Sequence, residues 1–131
     1  STMSEKEIEA FKKSDDFHNQ AMDISLLADR AKSRKNMMEA KQLYEQAFEL
    51  EKQAALEMNG VKTDKLWRAV LFRSAAWLAF HSEKYLEAIG LAHEGLSGNP
   101  PEMIEVELYD VLEQALAKMK SRHQQAMELA A

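Results

Sequence analysis

The sequence predicts an all-α fold of about five helices stacked as antiparallel hairpins. Three observations carry this. Apolar residues recur at three- and four-residue spacing along almost the whole chain, no stretch alternates apolar and polar as a strand does, and the strongest breaks fall at Asn59-Gly60 and at Gly98-Asn99-Pro100-Pro101. With 131 residues, 46% of them hydrophobic and 30% charged, the chain is long enough for one domain with a real core.

Ser4 followed by Glu7 makes a capping box that opens a helix with Ile8 and Phe11 on one face. Ser14-Asp15-Asp16 interrupts that stripe. A new helix, or the same one continued after a bend, then runs from about Asp15 to Ser33 with Phe17, Ala21, Ile24, Leu27, Ala28 and Ala31 inward. Arg30, Lys32, Arg34 and Lys35 crowd its end and oppose the negative pole of the helix dipole. The second helix is expected from Asn36 to Met58 on an apolar face of Ala40, Leu43, Tyr44, Ala47, Phe48, Leu50 and Ala54. Asn59-Gly60 should stop it, since both residue types tolerate the left-handed conformation. Thr63-Asp64 caps a third helix, Lys65 to Phe80, which is apolar nearly all round and therefore belongs at the centre of the domain. Ser82 is expected to cap a fourth, from about Glu83 to Ser97. After the break at Gly98, Asn99 is expected to cap a fifth helix that begins at Pro100 and reaches about Leu129. These elements form a single domain over residues 4–131, with one hairpin at about 15–58, a second at about 64–97 and a closing helix at about 100–129. Ser1-Thr2 ahead of Met3 reads as a remnant of tag cleavage.

The balance of 17 basic and 22 acidic residues, a net charge of −5, argues against a nucleic-acid partner, which needs a concentrated basic footprint. The absence of Cys excludes a disulfide scaffold, thiol catalysis and thiolate zinc sites. No apolar run approaches the ~18 residues of a membrane span and no signal peptide is recognisable, so the chain is read as cytoplasmic, with no membrane partner. Among the histidines His18, His81, His93 and His123, none stands in an HExxH motif and none has Glu three residues before it. The serines lack a glycine-flanked elbow, and there is no glycine-rich phosphate loop. His18 with Asp15 and Asp16 could meet a metal on one helical turn, although exposed residues near a helix start explain them equally. The expectation is a protein without catalytic residues, metal or cofactor. The eight Met residues are dispersed and are expected to fill gaps in the core.

Ala88, Ala92 and Gly95, flanked by Tyr85, Ile89 and Leu96 and closed by Pro100, resemble the second helix of a tetratricopeptide (TPR) repeat. The segment LWRAVLFRSAAWLAFHS, with Phe72, Ala75, Ala76 and Ala79, resembles the first. Met37–Phe48 echoes Tyr85–Leu96, and the equivalent Ala40 and Ala88 lie 48 residues apart, against a TPR period of about 34. The first unit matches at Leu27, Ala28, Ala40, Tyr44, Ala47 and Phe48, with Lys52 in place of the closing proline. In the second, Ala92 stands where a larger aromatic is usual. The resemblance covers roughly residues 21–52 and 69–102. It implies a right-handed superhelix of hairpins with the fifth helix as a cap, serving as a non-enzymatic protein–protein interaction or adaptor module. The groove-facing positions of that family map onto Met22, Ser25, Asp29 and Lys32 in the first unit and Val70, Arg73, Trp77 and His81 in the second. Arg73 would pair with a carboxylate of the partner protein or peptide, and Trp77 would cover an apolar anchor. The Lys and Asn residues with which chaperone-binding members clamp a carboxylate are absent apart from Arg73.

The segment from His18 to Met58 is also similar to the first two helices of a microtubule-interacting-and-transport (MIT) domain, through Ala28, Ala31, Glu39, Ala40, Leu43, Tyr44, Ala47 and Phe48. Two other readings stand beside the adaptor. One is a structural bundle that self-associates as a homodimer through the apolar faces of helices one and five. The other is a HEPN-like ribonuclease, resembled only by Arg73 and His81 on one helix and lacking that family's preceding polar motif.

Overall fold

Small residues at seven-residue intervals join the first two helices. The computed structural model describes residues 2–131, so Ser1 of the expected tag remnant lies outside the described residues. On α1 (Glu5–Ser33) Ser14, Ala21 and Ala28 are buried, and on α2 (Met37–Glu57) so are Ala40, Ala47 and Ala54. The Ser14 hydroxyl donates to the Ala54 carbonyl oxygen at 2.9 Å, which fixes an antiparallel register. In that register Ala21 falls opposite Ala47 and Ala28 opposite Ala40. Methyl-sized side chains along the seam let the two backbones approach closely.

This seam explains why α1 is one continuous helix through Ser14-Asp15-Asp16. Ser14 lies on the buried face, whereas the Asp15 and Asp16 carboxylates turn outward and accept from the Asn19 and Gln20 amides. The first hairpin therefore begins at Glu5 rather than near residue 15. Leu27, expected inward, is 48% exposed, because the inward positions of that turn are taken by Ala28 and Ala31.

The second hairpin pairs α3 (Lys65–His81) with α4 (Tyr85–Ser97), and α5 (Glu102–Ala130) covers both. Ala75, Ala79, Ala88 and Ala92 are fully buried, as is Phe72. A methyl group added at Gly95 would lie 2.9 Å from Leu108 Cδ2 and 3.1 Å from Phe72 Cβ, so the three helices meet there. Ile104, Leu108, Val111 and Ala115 form the inner face of α5. α2 packs on α3 and joins the hairpins. The chain is 86% helical, and no strand occurs among the described residues.

The turns of the two hairpins repeat at the same 48-residue offset as Ala40 and Ala88. Lys35 and Glu83 both adopt left-handed backbone, with φ of 63° and 62°. In each turn the next amide reaches back five residues, Asn36 to the Ala31 carbonyl and Lys84 to the Ala79 carbonyl, and the preceding amide reaches back three. This is a Schellman closure built without glycine. Ser82, expected to cap α4, instead ends α3, its hydroxyl donating to the Leu78 and Ala79 carbonyls, and Lys84 occupies the cap position. The echo between the units holds at the small positions and breaks at the leading large one, since Met37 is exposed where Tyr85 is buried.

Two further expectations about ends are corrected. α2 closes through a 3-10 turn at Met58–Gly60 in which neither Asn59 nor Gly60 is left-handed. Asn99 is left-handed, with φ of 54°, and leaves Pro101 to cap α5. Of the methionines, Met58 fills the core, but Met37, Met38, Met103 and Met127 are exposed.

Two glycines of α4 give opposite predictions for one substitution. Gly90 is exposed and nothing lies within 4 Å of a Cβ placed on it, so Gly90→Ala should stabilise the protein by about 0.5–1 kcal/mol. Gly95→Ala should destabilise it by about 1–2 kcal/mol through displacement of Phe72 and Leu108. Ala88→Leu, which overpacks the same seam, should cost about 1–3 kcal/mol. Urea unfolding midpoints of the three variants check the order.

Candidate functional site

α1 and α3 run parallel, each antiparallel to α2, and a buried polar cluster ties all three at one level. Asp64 caps α3 by accepting the Trp67 amide at 2.9 Å, which sets Trp67 in the first turn. Its ring lies edge-on to His18 at 4.9 Å and against Phe11, and its indole N–H donates to Ser14 Oγ at 3.2 Å. His18 Nδ1 stands 2.9 and 3.0 Å from the two carboxylate oxygens of Glu51, a fully buried residue of α2. Burial pushes the Glu51 carboxyl up from its ordinary value, and the Ser74 hydroxyl and the His18 ring, which favour the carboxylate, offset part of this.

Beyond this cluster, towards the ends of α1 and α3, the helices leave an open cleft of about 350 Å³. α1 contributes Met22, Ser25 and Asp29, and α3 contributes Arg73, Ser74, Trp77, Leu78 and His81. Tyr44 of α2 and Glu107 of α5 complete the lining. Six of the expected groove residues thus meet in one place. Val70 is half-buried outside the lining, and Lys32 lines a neighbouring pocket instead.

The polar groups of the cleft are largely committed to one another. Tyr44 donates its hydroxyl to Asp29 Oδ1 at 2.5 Å, and burial with the Asp29 charge pushes the phenol up to about 12. An Arg73 guanidinium nitrogen lies 3.2 Å from each oxygen of the Glu107 carboxylate. Arg73 was expected to pair with a carboxylate of a partner, and here α5 supplies one. Trp77 is half-buried, stacked near-parallel on His81 at 6.1 Å and edge-on to Phe80. His81 is exposed as a residue, yet its ring rests against Tyr44, Trp77 and Phe80. That packing first, and the Lys32 charge second, lower its pKa, with the Asp29 charge opposing them.

Sequence reasoning missed Glu51, and it named His18 and Tyr44 without the carboxylates they meet. The signal for Glu51 was present: Tyr44, Phe48, Glu51, Ala55 and Met58 follow one another at four- and three-residue steps, so a carboxylate stands on an apolar face. The His18 ring meets Glu51, while the Asp15 and Asp16 carboxylates accept from Asn19 and Gln20. No group of three potential ligands is positioned for a metal ion among the described residues. Nor is any helix there long and apolar enough to cross a membrane.

Comparison with known proteins gave no match to a family model, a curated protein or a solved structure.

Because burial raises Glu51 above its ordinary 4.5, the folded protein holds that proton more tightly than the unfolded chain. The contribution is full below that value and lost as pH rises through the raised one. Glu51→Gln keeps the shape and removes the titration. Its unfolding free energy should decline less than the wild type's as pH rises above 4.5, and superimposable profiles would show that Glu51 does not contribute to the pH dependence.

Proposed function

We propose that this chain is a TPR-like protein-interaction module that takes a segment of a partner protein in the cleft between α1 and α3. The carrying observation is the convergence of Met22, Ser25, Asp29, Arg73, Trp77 and His81 on that cleft. In the TPR arrangement the first helix of each hairpin faces the groove, and every lining residue except Tyr44 comes from α1, α3 or α5. The repeated turn at Lys35 and Glu83 and the cover that α5 lays over the second hairpin support the same reading. Apolar Met22, Trp77 and Leu78 beside polar Ser25 and Ser74 suit an extended or helical peptide, and a cleft of about 350 Å³ admits a few side chains rather than a folded domain. Arg73, held by Glu107, serves here as a fixed wall rather than as the partner's counter-ion.

The homodimer reading draws on α5, whose Met103, Val106 and Tyr109 are exposed. Elution as a monomer at micromolar concentration would remove it.

A photo-crosslinking residue placed at Ser25, inside the cleft, and separately at Gln53, exposed on α2, tests the proposal in the native host. A protein adduct should form from position 25 and not from 53, and Trp77→Phe should weaken it while the circular dichroism spectrum is retained. No adduct at 25, or equal adducts at both positions, overturns the reading.

A further inference from the structure

A second pocket, of about 250 Å³, adjoins the cleft and shares Tyr44 and His81 with it. It lies at the end of the molecule where both hairpin turns close. Its walls are aromatic, formed by Tyr44, Phe80, His81 and Tyr85, and its rim carries Lys32, Lys41 and Lys118. The charges around it divide into two groups. Lys41 and Arg122 share Glu83 at 3.2 and 3.9 Å, and Lys84 faces Glu45 at 3.7 Å. Lys32 and Lys118 have no carboxylate within 4.0 Å among the described residues, and nearby Asp29 is engaged by Tyr44. A chain of net charge −5 thus presents here two ammonium groups without a carboxylate within 4.0 Å, beside an aromatic floor.

We infer that this pocket binds an acidic segment of a partner protein, an aromatic or leucine side chain resting against the wall of Tyr44, Phe80 and Tyr85 while flanking carboxylates pair with Lys32 and Lys118. The inference rests on the cleft being a partner-binding groove, whose occupant continues over Tyr44 and His81 into the pocket. Charge complementarity selects the occupant. Two rim lysines repel a cationic side chain, and the aromatic walls need an apolar group that a bare phosphate lacks. A nucleic acid would meet the chain's overall negative charge, and at this rim only Lys32 and Lys118, among the described residues, are without an ion-pair partner to hold it. Glu83 fixes the rim, since its backbone is locked in the hairpin turn while its carboxylate holds Lys41 and Arg122.

The test is an array of immobilised octapeptides that combine Asp or Glu with Phe or Leu, each beside its Asn or Gln counterpart, probed with the full chain. Acidic spots should retain about five- to tenfold more protein than their amide counterparts, the range expected of two partly exposed ion pairs. The double variant Lys32→Gln/Lys118→Gln should lose that preference with its helical spectrum unchanged. Equal retention on acidic and amide spots, or an acidic preference that survives in the double variant, overturns the inference. If both kinds of spot bind equally and Ser25→Trp, which fills the cleft, abolishes binding, the cleft reading stands and this inference alone fails. If no peptide binds, both fail. Binding instead of single-stranded RNA or of phosphatidylserine vesicles, dependent on Lys32 and Lys118, would assign the pocket to another ligand and overturn the inference.

Discussion

Glu51 is the constraint around which the first three helices are arranged. A carboxylate with no solvent exposure is tolerated only where partners replace the water it has lost. Here the direct partner is His18 of α1, while the Ser74 hydroxyl of α3 favours the same charge. Trp67 completes the arrangement from α3, with its ring edge on His18 and its indole N–H on Ser14, whose own hydroxyl is given to the α2 backbone. α1 and α3 are thereby fixed side by side on α2 at one level and left open above it. The cleft is the unfilled remainder of that arrangement, and Ser74 belongs both to its lining and to the cluster beneath.

Packing alone would not choose this geometry. Alanine seams such as Ser14–Ala21–Ala28 against Ala54–Ala47–Ala40 bring helices close, but methyl groups at regular spacing tolerate a slip along the axis. The Ser14–Ala54 and His18–Glu51 bonds do not, because a slip would strand a buried polar group. A single polar level thus sets the register that the apolar seam leaves free.

The fold was legible where periodicity and caps agree. Ser4 with Glu7, and Asp64 ahead of Trp67, cap as their spacing says, and the central position of α3 follows from its apolar circumference. The errors at element boundaries share one physical origin: short polar residues have two uses. Ser14 and Ser82 read as breaks or caps, yet both are buried with their hydroxyls on carbonyls, and Asn59 and Asn99 divide between a 3-10 turn and a left-handed residue. The lining of the candidate cleft was legible, since Met22, Ser25, Asp29, Arg73, Trp77 and His81 do border one space. Its charge state was not, because the Arg73–Glu107 and Asp29–Tyr44 pairs join residues 34 and 15 positions apart, on helices whose relative placement the sequence does not state.

The central claim is that α1 is locked to α3 through Ser14, His18, Glu51 and Trp67, and hydrogen exchange at the two indoles tests it most directly. The Trp67 indole N–H donates to buried Ser14 Oγ, whereas the Trp77 indole N–H has no such partner among the described residues. Proton NMR after transfer into heavy water should show the Trp67 indole protected to the level of global unfolding, with the Trp77 indole exchanging far faster. Equally rapid loss of both signals would mean that α1 and α3 separate without unfolding, contradicting the account.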